Sequence, residues 1–373
     1  MDLPTDVVDL AAVLVDIPSV SGNEKEIADV VEDALRACSH LEVLRDGDTV
    51  MARTNLGRAS RVILAGHLDT VPTARNVPGV FTRESIAADG APPAPCRVEE
   101  ATTLWGRGSV DMKAGAAIFL ALARELTSPR LDVTWVFYDH EEVEASLNGL
   151  GRVQRNHPDW LRADMAVLGE PTSGAIEGGC NGTMRLHITA HGVAAHSARP
   201  WMGVNAVHRI GEVLLRLARW EPQVHRVGGL EYRESLLAVG VEGGGARNSV
   251  PDSATAIVNF RFAPDRSPAQ AEAYVRSLFA GEDLDIEVTD SAPGAAPGMD
   301  HPDFALLAGE LSRRGVGEPT AKLGWTDVAR FAGLAIPAIN CGPGDPTLAH
   351  RVDEACPISQ IRQLHETFTA WLL

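Results

Sequence analysis

The sequence lacks the features that mark membrane, secreted and nucleic-acid-binding proteins. No apolar run approaches the roughly 20 residues that a membrane helix needs. The N-terminal stretch is acidic and broken by prolines, unlike the basic start of a signal peptide. Basic residues are scarce, with 33 Lys and Arg against 50 Asp and Glu and a formal net charge of −17. Such a surface repels nucleic acid and anionic membranes, so we expect the protein to bind neither. Because the N-terminal stretch does not resemble a signal peptide, we expect the protein to be cytoplasmic.

Cysteine is also scarce, and no CxxC pair occurs. The five cysteines are scattered and odd in number, so neither a disulfide framework nor a thiolate zinc site is indicated. We expect each to be a reduced, small apolar residue. No GxGxxG or P-loop pattern opens a helix, which disfavours a nucleotide-binding enzyme.

The first half of the chain alternates apolar strands with helices. Residues 61–66 and 131–138 are short apolar runs typical of buried strands, and the Ala- and Leu-rich segment 113–126 predicts a helix between them. This alternation predicts an α/β fold whose mixed sheet is covered by helices. From about Gly179 the pattern changes to strand-helix-strand-strand-helix-strand, which suits a ferredoxin-like α+β domain with an antiparallel sheet.

With 373 residues, the chain is long enough for two domains. We predict a catalytic domain formed by residues 1–178 and 294–373, interrupted by an inserted domain at 179–293. The segment 82–97 is rich in Ala and Pro without periodicity, and predicts an exposed surface insertion.

Polar residues with metal-binding chemistry follow the predicted strands. His67 and Asp69 come directly after one apolar strand and share a face in extended backbone. A histidine can bind metal with one ring nitrogen while a carboxylate holds the other. Asp111 precedes a helix, where an aspartate either bridges two metals or only caps the helix. Taken singly, each residue is also compatible with a structural or surface role.

Acidic residues crowd the end of the strand at 131–138, which is uncommon without a cation to neutralise them. Of Glu141 and Glu142, one could bind metal while the other accepts a proton, and a solvated acidic turn is the alternative. Glu170 and His350 are further possible ligands. The whole set offers nitrogen and oxygen but no thiolate, which suits two zinc ions, with cobalt or manganese able to substitute. Its members are His67, Asp111, Glu142, Glu170 and His350.

Ordered motifs over nearly the whole chain resemble the aminoacylase and carboxypeptidase group of di-zinc metallopeptidases and, within it, desuccinylases of the actinobacterial type. The motifs are IPSVSGNE (17–24), LAGHLDTVP (64–72), GRGSVDMK (106–113), VFYDHEE (136–142), LGEPT (168–172), GCNGTMR (179–185), HSARPW (196–201), NSVPD (248–252), VNFRFAPDRS (258–267), LGWTDVARF (323–331) and GPGDPTLAH (342–350). The resemblance implies a zinc-exopeptidase-like fold, an inserted lid and dimerisation domain, and a homodimer. It also implies hydrolysis of N-succinyl-LL-2,6-diaminopimelate to succinate and LL-2,6-diaminopimelate, in lysine and cell-wall precursor biosynthesis.

The resemblance also implies how two Zn²⁺ ions would be held. His67 and Glu170 would hold one ion, and Glu142 and His350 the other. Asp111 would bridge the two ions.

Further roles follow from the same resemblance. It implies that Glu141 is the general base and that Asp69 orients the first histidine ligand. His196, in the inserted domain, would reach the partner subunit's active site and support the oxyanion. Three residues resemble contacts to the carboxylate of the substrate, namely Asn248, Arg261 and Thr326.

Two departures from the family pattern leave the substrate open. No arginine precedes the Gly-Thr of residues 180–183, where some desuccinylases carry arginines, and the stretch 82–97 is longer than family loops usually are. A related deacylase or dipeptidase acting on another N-acyl amino acid, including one of specialised metabolism, is therefore the alternative. A non-catalytic binding protein of the same fold is a remote one, because every site position keeps a chemically competent residue.

Overall fold

The computed structural model of the chain describes residues 3–83 and 93–373, so most of the predicted insertion at 82–97 lies outside the described residues. Along these residues the α-helices are α1 (Val7–Asp16), α2 (Lys25–Arg36), α3 (Lys113–Glu125), α4 (Gly149–Asn156), α5 (Ala206–Ala218), α6 (Pro268–Leu278), α7 (Pro302–Arg313), α8 (Val328–Gly333) and α9 (Ile358–Leu372). The strands are β1 (Glu42–Asp46), β2 (Thr49–Arg53), β3 (Arg61–His67), β4 (Val80–Thr82), β5 (Thr103–Trp105), β6 (Asp132–Tyr138), β7 (Met165–Pro171), β8 (Glu177–Gly178), β9 (Gly182–His191), β10 (Ala195–His196), β11 (Val224–Val227), β12 (Leu230–Arg233), β13 (Ser235–Gly243), β14 (Ser249–Val250), β15 (Ser253–Phe262), β16 (Leu284–Ala292), β17 (Thr320–Ala321), β18 (Ala338–Gly342) and β19 (Ala355–Pro357).

The chain divides into two compact units. The first unit comprises Met1–Gly178, Gly298–Pro319 and Arg330–Leu373, and the second comprises Gly179–Pro297 and Thr320–Ala329. The short segment Thr320–Ala329 therefore groups with the second unit, although the predicted boundary at residue 294 assigned it to the catalytic domain.

A mixed sheet forms the centre of the first unit. Its strands follow the order β1-β2-β6-β3-β7-β18-β8. The inner strands β6, β3, β7 and β18 run parallel to one another, whereas β1, β2 and β8 pair antiparallel with their neighbours. Every residue of β6 and β7 is buried, as expected for strands covered on both faces. The predicted α/β class with a mixed, helix-covered sheet is confirmed.

Helix α3 packs closely on the sheet because both surfaces carry small residues. A Cβ atom added to Gly115 would lie only 2.2 Å from the carbonyl oxygen of Gly169 in β7. Only glycine at position 115 allows this approach, which brings the start of α3 close to the end of β7. Asp111 and Glu170 stand at these two places, so the packing of small residues helps to bring them together.

The second unit has the predicted α+β pattern. Its four-stranded antiparallel sheet has the order β13-β15-β9-β16. Alternate residues of β9 and β15, such as Leu186 and Val258, are buried and join residues of α5 and α6 in a separate hydrophobic core. The polar N-caps Asn205 and Ser267 begin these two helices. In neither unit does a described helix have the length and apolar character required to span a bilayer.

Candidate functional site

The site predicted from the sequence forms at one edge of the first unit's sheet. His67 is the last residue of β3, Glu170 lies near the end of β7, and Glu141 and Glu142 follow β6. These three strands are neighbours and parallel, so their carboxyl ends meet at the same edge, where open α/β sheets commonly bind ligands. Asp111 adds a carboxylate from the residues just before α3.

The Asp111 carboxylate lies between two histidines from distant parts of the chain. Its Oδ1 is 3.1 Å from Nε2 of His67, and its Oδ2 is 3.3 Å from Nε2 of His350. The same nitrogen of His350 is 3.0 Å from Oε1 of Glu142. Each oxygen of Asp111 therefore faces a different imidazole, which is the arrangement that a bridging carboxylate requires.

The donor atoms fit two divalent metal ions. The side chains of His67, Asp111 and Glu170 offer one group of ligand atoms within 4.8 Å of one another, and those of Asp111, Glu142 and His350 offer a second. The two groups share only Asp111. Nitrogen and carboxylate donors without thiolate are typical of zinc in catalytic sites, and also suit manganese or cobalt. The structure thus brings together all five predicted ligands.

The carboxylates of the site raise the pKa of both histidines and so favour their protonated forms. Hydrogen bonds to Asp111 and Glu142 raise the pKa of His350 to about 10. Burial opposes the charged form of His67, but its contacts with Asp111 and Asp69 still hold its pKa well above the ordinary value. Burial likewise opposes ionisation of Asp111, yet the two histidines keep its pKa well below the usual range. The carboxylates therefore stabilise positive charge at this place.

Asp69 has more hydrogen bonds than its predicted role requires. The ring Nδ1 of His67 lies 2.9 Å from the backbone oxygen of Asp69 and 3.5 Å from its carboxylate Oδ1. The carboxylate accepts hydrogen bonds from the backbone N–H groups of Glu141, at 2.9 Å, and Glu142, at 3.0 Å, and from Oγ of Ser21, at 2.7 Å. Asp69 therefore contacts the histidine and also holds the acidic turn after β6.

Ser21 and Glu354 are among the polar side chains at the site that were not assigned a role from the sequence. Ser21 donates to Asp69, and Glu354 accepts hydrogen bonds from the backbone N–H groups of Val110 and Asp111. Burial raises the pKa of Glu354 to about 7, against the opposing effect of these N–H donors. The only signal for Glu354 was an acidic residue immediately before the apolar strand β19, four positions after His350.

The remaining predicted site residues belong to the second unit. His196 pairs with Ser249 across β10 and β14, and the N–H of Ser197 donates to the carbonyl of Asn248 at 2.8 Å, so His196 and Asn248 lie close to each other. The side chain of His196 is exposed. Two others lie elsewhere in the same unit: Arg261 is half-buried on β15, and Thr326 is buried in Thr320–Ala329. Their roles stay predictions.

Comparison with known proteins agrees with this geometry. The chain is 51% identical over 362 residues to a Mycobacterium tuberculosis protein provisionally named succinyl-diaminopimelate desuccinylase DapE, covering 97% of this chain and 96% of that one. It is 46% identical over 369 residues to succinyl-diaminopimelate desuccinylase of Corynebacterium glutamicum, covering 97% and 94%. The solved structure of a tripeptidase from Staphylococcus aureus superposes with a TM-score of 0.76 at 19% identity, covering 98% and 96% of the two chains.

A dinuclear metal-binding peptidase from Bacillus subtilis also shares the fold, with a TM-score of 0.66 at 13% identity, covering 98% of this chain and 96% of that one. The family profile described as peptidase family M20/M25/M40 matches residues 63–373, which include all five predicted metal ligands. The chain therefore belongs to peptidase family M20/M25/M40.

Proposed function

We propose that this chain is a two-metal amidohydrolase that hydrolyses N-succinyl-LL-2,6-diaminopimelate to succinate and LL-2,6-diaminopimelate. The single observation that carries the two-metal chemistry is the Asp111 carboxylate, whose two oxygens face His67 and His350 separately. The choice of substrate is supported by the names of relatives that are 51% and 46% identical over nearly the whole chain. The reaction would supply a precursor for lysine and the cell wall in the cytoplasm.

The metal ligands divide into two sets around the shared carboxylate. His67 and Glu170 would hold one Zn²⁺, Glu142 and His350 the other, and Asp111 both. When bound, two such ions lower the pKa of a water molecule and polarise the amide carbonyl of the substrate.

Glu141 is the proposed general base. Its carboxylate offers an oxygen within 4.8 Å of the ligand atoms of His67 and Glu142, so it lies beside two of the proposed metal ligands. Asp69 fixes its backbone N–H at 2.9 Å, which limits the positions that the side chain can take. Glu141 would accept the proton of the attacking water and return it to the leaving amine nitrogen, as general acid–base catalysis requires.

The second unit would serve as lid and dimerisation domain. His196 is exposed and its Nδ1 accepts a hydrogen bond from the N–H of Ala198 at 3.0 Å, which leaves Nε2 directed away from that bond. With Nδ1 as acceptor, the neutral ring carries its proton on Nε2 and can donate it to a developing oxyanion. We place this histidine in the partner subunit's active site of a homodimer, with Asn248, Arg261 and Thr326 as contacts to substrate carboxylates.

A panel of substrates tests the proposal. Zinc-loaded protein is assayed with N-succinyl-LL-2,6-diaminopimelate, the N-acetyl analogue and simple dipeptides, and kcat/KM is compared. The proposed function predicts that the succinyl substrate has the highest kcat/KM by at least about tenfold, a difference of about 1.4 kcal/mol in transition-state binding. Higher kcat/KM for an acetyl substrate or a dipeptide would instead assign the chain to a related deacylase or dipeptidase.

A further inference from the structure

A buried ion pair joins the chain segment that carries Asp111 to the chain segment that carries His350. Nη1 of Arg107 lies 2.8 Å from Oε2 of Glu354, and both side chains are buried, with exposed fractions of 4% and 1%. Nη2 of the same arginine donates to the backbone carbonyl of His350 at 3.3 Å. Arg107 stands four residues before Asp111, and Glu354 four residues after His350. The pair thus ties together segments about 240 positions apart.

The other oxygen of Glu354 reaches the ligand segment directly. Oε1 accepts the backbone N–H of Val110 at 2.9 Å and of Asp111 at 3.1 Å. One carboxylate therefore fixes the backbone on which the bridging aspartate stands, and its arginine partner fixes the carbonyl of His350. The strained backbone of His350, with φ of +66°, needs such support because a non-glycine residue rarely occupies this region.

Burial of an ion pair is costly in stability, so a pair this completely buried calls for a reason beyond folding. We infer that Arg107 and Glu354 are positioning residues, whose contacts hold Asp111 and His350 at the separation that two metal ions require. They offer no atom to the metal or the substrate in this role. Their effect passes through the backbone of the ligands, as hydrogen-bonded partners of metal ligands commonly act. The inference rests on the proposed two-metal site but not on the identity of the acyl group.

The Glu354→Gln substitution tests the inference with little change in size. An amide keeps one oxygen acceptor, but its NH₂ group must then face either Arg107 or the backbone N–H groups, all of which are donors. We expect Co²⁺ affinity to fall about 10- to 100-fold, the usual effect of losing a partner of a metal ligand. The full-length protein is titrated with Co²⁺ at pH 8, and binding is followed by the visible absorption of the ion and by calorimetry.

A second arginine–glutamate pair, with a buried glutamate and a half-buried arginine, supplies the control. In the second unit, Oε1 of Glu234 accepts the N–H of Ala263 at 3.0 Å and the Nε–H of Arg266 at 2.8 Å, and the glutamate side chain is fully buried. Glu234→Gln removes the charge of a buried glutamate that is paired with an arginine and whose partners here include no predicted metal ligand. It should leave Co²⁺ affinity within about threefold of the wild-type value, well below the loss expected from a partner of a ligand.

Kinetics give a second readout. With excess Co²⁺, Glu354→Gln should regain most of its kcat, and KM should change little, because the substrate contacts are intact.

A second variant, Arg107→Lys, tests the inference if Glu354→Gln does not fold. Lysine keeps the positive charge but cannot contact both Glu354 and the carbonyl of His350 as the guanidinium does, so this variant should also weaken Co²⁺ binding.

The Co²⁺ affinities of the three variants and of the wild-type protein decide whether Arg107 and Glu354 are positioning residues. Weakened Co²⁺ binding in Glu354→Gln or Arg107→Lys, with Glu234→Gln unaffected, supports the positioning role. Unchanged binding in both site variants, or an equal loss in the control, overturns it. A wild-type protein that binds no Co²⁺ would instead refute the proposed two-metal function, so the two failures are distinguishable.

Discussion

Replacing Asp69 with asparagine removes one charge from the centre of the site and leaves the shape of the side chain almost unchanged. Asp69 is fully buried and accepts hydrogen bonds from the N–H groups of Glu141 and Glu142 and from the hydroxyl of Ser21. Asparagine has one oxygen, and its NH₂ group must point at a donor. At least one buried N–H group therefore loses its acceptor.

The magnitude follows from these contacts. A buried donor left without a partner costs about 1–3 kcal/mol, and the bonds that remain lose the extra strength that a charged acceptor gives them. We expect the free energy of unfolding of Asp69→Asn to fall by about 2–4 kcal/mol. Because the turn that carries Glu141 and Glu142 is no longer fixed, we also expect kcat to fall about 100-fold, the effect of a displacement near 1 Å at a catalytic group.

An aspartate at the other end of β6 provides a matched control. Asp132 is also buried and accepts two backbone N–H groups, from Leu56 at 2.8 Å and Arg58 at 2.9 Å, and the hydroxyl of Thr54 at 2.8 Å. Asp132→Asn should lose similar stability in urea unfolding but keep kcat within about threefold, because it is remote from the ligands. If both variants lost kcat equally, or Asp69→Asn kept full activity, the assignment of Asp69 to the site geometry would be refuted.

Three further predictions concern the base, the metals and the dimer. Glu141→Gln should lower kcat about 10²- to 10⁴-fold while elemental analysis finds the metal content unchanged, and an active variant would contradict its role as base. Because the pKa of His350 is about 10 and that of His67 is raised in the same direction, metal binding at pH 8 should release at least about one proton and should weaken as pH falls. Calorimetry in buffers of different ionisation enthalpy measures this release, and binding without it would count against these ligands. Mixing inactive Glu141→Gln and His196→Ala subunits and allowing them to exchange should restore about a quarter of wild-type activity. Half of the dimers would then contain one subunit of each kind, and each of these would hold one complete site out of two. No recovery of activity would contradict a site shared between subunits.

The sequence was sufficient for features that depend on local pattern. The apolar runs of β3, β6 and β7 and the Ala-rich helix α3 were predictable because each buries nearly all its residues. Four of the five ligands stand near the beginning or end of those elements. The meeting of His67, Glu142 and Glu170 followed from the rule that parallel strands end at one edge of a sheet, whereas the places of Asp111 and His350 followed from the family resemblance.

Other features could not be predicted because they depend on tertiary contacts. Glu354 looks like an ordinary acidic residue in the sequence, and only the fold shows that it is buried against Arg107 and the backbone of Asp111. The hydrogen bonds from Glu141 and Glu142 to Asp69 join residues more than 70 positions apart. The grouping of Thr320–Ala329 with the second unit likewise has no local signal, since it results from contacts with residues distant in sequence.

The most direct measurement is an anomalous-scattering map at the zinc absorption edge from crystals of the zinc-loaded protein. Two peaks are predicted, on either side of the Asp111 carboxylate, one beside His67 and Glu170 and the other beside Glu142 and His350. A map without peaks among these side chains, at full zinc saturation of the crystal, would contradict the account.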